Sequence, residues 1–341
     1  MGRDARRGPP LNALVVCTGG GIGDVLLATP VMRALRTRYE RVVALTAAAH
    51  RDVLAGNPAL ADVWVDGGSV SEQAARLRAG RFDAAVVTWA TPRSAALPFA
   101  AGIPERVGQA RRLYSGLFTK RVIVRSELGD RTTHWTQILL DFARELECDV
   151  ADATPTFAVS PAARASLAEL LAREGIAGGY GVFHPTRGIA AIHGRWPTEA
   201  LGALAGRVRE ALGLPLVVTG APGDRDIAEA VAARAGGISL AGRSSLAEFG
   251  ALAEGATAVV ALDSGPMHVA AAVGAPTLGI FALASDEPDR WAPLGARTAV
   301  LRGTYPCPPE HRKETCPNFA CLAELSPERV IAALGMLLAA R

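Results

Sequence analysis

The chain has 341 residues, 50% of them hydrophobic and 20% charged, and a formal net charge of +3. That length exceeds a usual single domain and supplies apolar residues for two buried cores. So small a charge argues against a nucleic-acid partner, and the apolar runs fall short of the roughly 18 residues of a membrane helix. The opening MGRDARRGPP leads into a strand without a signal-type apolar region, so a cytoplasmic protein is expected. The five cysteines, Cys17, Cys148, Cys307, Cys316 and Cys321, lack a tight pairing pattern and are expected as free thiols.

In chain order, LNALVVC, RVVALT, DVWV and FDAAVVT read as strands, alternating with helical stretches such as VLLATPVMRALRTRY and SEQAARLRA. This alternation predicts a parallel sheet covered by helices. After the helical HWTQILLDFARELEC, the segment DVADATPTFAVSP loses periodicity and collects Pro, Thr and Asp, which marks a linker near 148–160. The pattern then restarts. YGVFHP, LPLVVTG, GISLAG, ATAVVALD and APTLGIFA are strands, separated by helices beginning near Pro197, Asp224, Ser245 and Gly265. SPERVIAALGMLLAAR closes the chain as a helix with a capped start.

Ligands of open parallel sheets sit beyond the carboxyl ends of strands, and two stretches stand there. The first is GGGIGDVLLATP, residues 19–30. Counted from Gly19, a dinucleotide fingerprint needs glycine where Asp24 stands, and a P-loop needs Gly-Lys where the chain has Asp-Val. Both templates fail. The glycines permit close backbone approach to a ligand, and Asp24 is either a helix cap or a functional acid at a helix start. The second stretch is ALDSGPMHVAAAVGAP, residues 261–276. Asp263 ends a strand, Ser264 and Gly265 offer backbone amides, and Pro266 suits the first turn of the next helix, an arrangement that favours an anion. The alternatives are a capping pair at Asp263 and Ser264 and a packing role for His268.

IGDVLLATPVMRALR, GRWPTEALGALA, VVTGAPGDRD, SLAEFGALAEGATAVVALDSGPMHVAAAVGAPTLGIF and CPNFACLAELSPERVIAAL occur in this order across almost the whole chain. With these blocks the chain resembles glycosyltransferase family 9, the heptosyltransferase family. The resemblance implies an α/β GT-B fold of two Rossmann-like domains facing each other across a cleft. Residues 1–155 would form the acceptor-binding domain and 156–325 the donor domain, with a closing helix, 326–341, packing back toward the first. It implies an inverting transfer of a heptose or related sugar from a nucleotide donor, ADP-heptose, to an acceptor hydroxyl. Asp24 is then the general base, and Gly20, Gly21 and Gly23 form the loop around its carboxylate. The donor would be held by Asp263, Ser264, Gly265, His268, Asp224, Arg195 and Thr186, the Ser264 and Gly265 amides meeting the diphosphate.

Many family members carry a lysine two residues before the Trp-Pro of the middle block, where this chain has Gly194, so Arg195 or His193 is left to meet the phosphate. The basic segment 105–125 provides Arg106, Arg111, Arg112 and Lys120 as acceptor-binding candidates, facing either a phosphorylated acceptor or an anionic membrane surface. The acceptor is either the lipopolysaccharide inner core, with peripheral membrane contact, or a small secondary metabolite. No cofactor beyond the nucleotide sugar is expected. Asp224-Arg225-Asp226 resembles a metal motif but opens a helix, and a structural metal at Cys307, Cys316 and Cys321 is not expected, because they are not spaced as a tight metal pair and His311 is the one nearby candidate for a fourth ligand. The competing readings are a degenerate nucleotide-sugar-binding protein and a transferase using another nucleotide sugar. An NAD-dependent oxidoreductase is disfavoured by the failed glycine fingerprint.

Overall fold

A computed structural model describes residues 11–185, 196–281, 287–306, 316 and 320–340. Thr186, His193, Gly194, Arg195, Cys307 and His311 lie outside the described residues. The chain divides into two compact units, Met1–Thr156 and Phe157–Arg341.

The first unit contains β1 (Asn12–Cys17), β2 (Arg41–Thr46), β3 (Asp62–Val65), β4 (Ala84–Val87), β5 (Glu105–Gln109) and β6 (Lys120–Val122). These pair in parallel in the order β3-β2-β1-β4-β5-β6. The second unit contains β7 (Gly181–His184), β8 (Leu216–Val218), β9 (Ile238–Ser239), β10 (Ala258–Leu262), β11 (Thr277–Phe281) and β12 (Thr298–Arg302). Its parallel order is β12-β11-β10-β7-β8-β9. Central strands covered by helices on both faces must be apolar throughout rather than alternating. Accordingly, Ala13 to Cys17 of β1 and every residue of β10 are buried.

In each unit the first three strands grow outward in one direction, and the fourth returns to the other side of the first. The carboxyl ends of β1 and β4, and of β7 and β10, therefore part at a topological switch point, where such sheets hold ligands. The two loops singled out in the sequence follow β1 and β10.

The predicted helix VLLATPVMRALRTRY is two helices, Ile22–Leu27 and Thr29–Leu35. Pro30 has no N–H for the Leu26 carbonyl four residues back. The Thr29 hydroxyl donates to that carbonyl instead, at 2.7 Å. Sequence patterning also passes over β5, β6 and β12. β6 and β12 are edge strands, and β6 buries only Val122 fully, so the apolar signal is weak.

The closing helix, Pro327–Ala339, lays its apolar face in the second unit's core. Val330, Ala333, Leu334 and Leu337 recur at helical spacing and join Leu204, Val208, Leu278 and Ile280. Among the described residues, no helix is long and apolar enough to cross a membrane.

Candidate active site

Asp24 is the third residue of the helix Ile22–Leu27 that follows β1. Its Oδ2 accepts a hydrogen bond from the Gly21 amide at 2.7 Å, so the carboxylate turns back over the helix start. The helix N-cap is Gly21, not Asp24. Gly20 has φ +77°, and a Cβ there would stand 2.6 Å from the Asp24 Cβ and Oδ2. Glycine is required at that position both for its left-handed backbone and to leave room for the acid. Gly23 is the second residue of the helix.

Burial raises the Asp24 pKa above the ordinary carboxylate value, and this outweighs the opposing Gly21 amide and the charge of His50. His50 ends the 3-10 turn Ala48–His50, which follows β2, the parallel neighbour of β1. Cys17 and Thr46 are register partners, so both loops leave the sheet at the same edge. Sequence reading missed His50 because no local motif ties it to a loop 26 residues earlier in the chain. Trp89, two residues beyond β4 and 39% exposed, was missed likewise. A Cβ on Gly19 would fall 2.0 Å from its Cδ1, so the indole rests directly on the glycine loop.

The acceptor candidates divide. Arg111 and Arg112 follow the carboxyl end of β5, on the edge that carries Asp24. Arg112 pairs with Glu127 at 2.9 Å, and Arg111 donates to the Glu127 carbonyl at 3.3 Å. Arg106 lies near the amino end of β5, about 10 Å of strand short of that edge at roughly 3.3 Å per residue. Its guanidinium is spent on the carbonyls of Leu117 and Ile103. Lys120 begins β6, donates to the Glu145 carbonyl at 2.8 Å and pairs with Glu105 at 3.2 Å. The structure therefore separates Arg106 and Lys120 from the acid, and both brace the opposite side of the sheet.

In the second unit, Asp263 and Ser264 follow β10 and lead into the helix Gly265–Ala272. Ser264 is the N-cap residue, but its hydroxyl donates backward to the Leu262 carbonyl at 2.9 Å and makes no cap bond. Ser69, Ser160, Ser245 and Ser326 do cap their helices. His268 is buried in the same helix, 4% exposed. Asp224 is buried after β8, its Oδ2 accepting from the Ala221 amide at 3.3 Å. His184, which sequence reading passed over, ends β7 and shares a 2.9 Å hydrogen bond between Nδ1 and the Thr219 Oγ1. The signal was available: a histidine closing an otherwise apolar strand. All these groups lie at the carboxyl edge of the second sheet. Among the described residues, no three His, Cys, Asp or Glu side chains cluster as a metal site.

Two α/β units whose parallel sheets share one strand order, each with a glycine-bearing loop at its switch point, define the class as a double Rossmann-like α/β protein. The model of Glycosyltransferase family 9 (heptosyltransferase) matches residues 71–319. The chain belongs to that family. It is 24% identical to lipopolysaccharide heptosyltransferase 2 of Escherichia coli strain K12, over 93% of this chain and 96% of the relative. Among solved structures it is similar to a family 9 glycosyl transferase from Veillonella parvula, with a TM-score of 0.81 and 20% identity over 97% and 98% of the two chains. It is also similar to the ADP-heptose lps heptosyltransferase II of E. coli, with a TM-score of 0.78 and 23% identity over 96% and 99%.

Proposed function

We propose that this glycosyltransferase moves a heptose from ADP-heptose to a hydroxyl of the lipopolysaccharide inner core in one inverting displacement, with Asp24 as the base. The observation that carries the proposal is the Asp24 carboxylate, held at the β1/β4 switch point with its pKa raised by burial. A base of raised pKa takes a hydroxyl proton more readily than an ordinary carboxylate does. The acceptor oxygen gives its proton to Asp24 and bonds to the anomeric carbon. The bond from that carbon to the diphosphate breaks, and its electron pair leaves with ADP. No bond between sugar and enzyme forms.

For the leaving group, the helix Gly265–Ala272 supplies the positive end of its dipole and amides that the Ser264 side chain leaves uncapped. Asp263 and His268 flank that start, Asp224 takes the ribose hydroxyls, Thr186 joins the donor set, and Arg195 stands in for the family's lysine where this chain has Gly194. On the acceptor side, the reading keeps Arg111 and Arg112 and drops Arg106 and Lys120. The chain's similarity to lipopolysaccharide heptosyltransferases favours a glycolipid over a secondary metabolite. That similarity also supports ADP-heptose as donor. Contact with an anionic membrane surface follows from the acceptor, and a cytoplasmic site from the nucleotide donor.

The test pairs transfer with binding. Asp24→Ala is expected to lower transfer by about 10²–10⁴-fold while calorimetry finds ADP-heptose binding nearly unchanged; near-normal turnover would overturn the base assignment. Asp263→Ala is expected to weaken binding of ADP-heptose, and unchanged affinity would remove it from the donor site. Selective binding of UDP or GDP sugars would replace the donor, and binding of none would make the chain a degenerate transferase.

A further inference from the structure

The exposed indole beside the catalytic loop has no part in the reaction as described. A large aromatic side chain left 39% exposed forgoes much of its burial energy. Three contacts nevertheless fix its surroundings. The pyrrole side of the indole sits on Gly19, where any Cβ would lie within 2.0–2.7 Å of Cδ1, Cγ and Nε1. The Trp89 carbonyl accepts the Ser94 hydroxyl at 2.9 Å, within the Thr91 and Ser94 capping box that starts the helix Pro92–Ala100. The Tyr114 hydroxyl clamps the next carbonyl, that of Ala90, at 2.6 Å. The loop is thus held in place while Trp89 remains partly exposed to solvent.

Its position is equally specific. Trp89 follows β4 and Asp24 follows β1, the two strands that part at the switch point. The indole rests against Gly19 and the Asp24 carboxylate against Gly20, adjacent residues whose Cα atoms are about 3.8 Å apart. One sugar ring lying on the indole can therefore present a hydroxyl to the carboxylate. A pyranose has an apolar face of C–H groups and a rim of hydroxyls, so an aromatic face binds the former and leaves the latter free to react. Aromatic residues with a few placed polar groups are the ordinary lining of small-molecule sites.

We infer that Trp89 is the platform on which the acceptor's pyranose ring stacks, so that the ring's reactive hydroxyl faces Asp24. The inference rests on the assignment of Asp24 as base and of a sugar as acceptor. Gly19 packs against the ring and Ser94 and Tyr114 fix the backbone that carries it, which lowers the entropy lost when the sugar binds.

The experiment compares Trp89→Phe and Trp89→Leu with the unaltered full chain, using ADP-heptose and a deacylated lipopolysaccharide inner-core oligosaccharide. Phe keeps an aromatic face, and Leu keeps only apolar bulk. The acceptor KM is expected to rise roughly 3- to 10-fold in the Leu variant and less in the Phe variant, with the donor KM unchanged in both. An unchanged acceptor KM in the Leu variant, or a parallel loss in donor KM and kcat, would show that Trp89 only packs the loop. Calorimetry with the oligosaccharide separates the two levels. Equal binding to the unaltered chain and to Trp89→Leu overturns the stacking alone; no binding to the unaltered chain overturns the proposed acceptor and the stacking with it.

Discussion

At the residue scale, Asp24 sets stability against chemistry. Its folded pKa is raised, chiefly by burial, so its contribution favours folding below the unfolded pKa and is lost as pH rises through the folded one. At neutral pH the ionised carboxylate therefore destabilises the native state, and Asp24→Asn is expected to unfold at higher denaturant concentration while transfer is lost. Equal midpoints at pH 7 would contradict that sign. The active form of a base is deprotonated, so the acid limb of kcat/KM should lie above the position an unperturbed aspartate would set. The charge of His50 opposes the rise, and His50→Gln should move the limb further up; a downward or absent shift would remove His50 from the site. Gly20→Ala forces an L residue into φ +77° and a Cβ against the Asp24 carboxylate. It should cost about 1–2 kcal/mol from the backbone alone and lower transfer with it, measurable by urea denaturation and a rate assay.

At the element scale, the break between Ile22–Leu27 and Thr29–Leu35 decides how the acid-bearing helix ends. Thr29 Oγ1 donates to the Leu26 carbonyl at 2.7 Å and accepts from the Thr156 amide at 2.9 Å, so one buried hydroxyl satisfies two backbone groups. Thr29→Val keeps the shape and strands both groups. A loss of about 1–3 kcal/mol per unsatisfied group is expected, read from the urea midpoint. A loss under about 0.5 kcal/mol, typical of a surface change, would mean that the backbone finds other partners. The Ser264 hydroxyl shows the converse arrangement. By donating back to Leu262 it makes no cap bond to its helix, a local cost that the proposed diphosphate would offset.

At the scale of the whole molecule, each unit has its own buried core. Leu334, 1% exposed, carries the closing helix into the second of them. Leu334→Ala is expected to cost about 2–5 kcal/mol through lost burial and the cavity left behind. Hydrogen exchange on the full chain should show lost protection in β11, β12 and the helix Thr198–Leu212, with the first sheet unchanged. Loss confined to the first unit would contradict the observed packing of the closing helix.

The central strands and the two glycine-bearing loops were legible in the sequence. Each is written in local terms: unbroken apolar runs for strands buried on both faces, glycine where backbone must approach closely, proline where a helix begins. The order of the family's blocks carried the activity for the same reason, since each block is contiguous. What the sequence left open depends on strands brought together from far apart in the chain. Arg106 and Arg112 belong to one basic stretch, yet the direction of β5 sends them to opposite ends of the sheet. His50 reaches Asp24, and Trp89 the glycine loop, only because β2 and β4 flank β1, and the closing helix finds its core only because its apolar stripe meets the helix Thr198–Leu212 and the sheet beside it. Local composition determines which segments are buried; strand order and the direction of each strand determine which of the remaining polar and aromatic groups meet, and that is decided by burial summed over the whole unit.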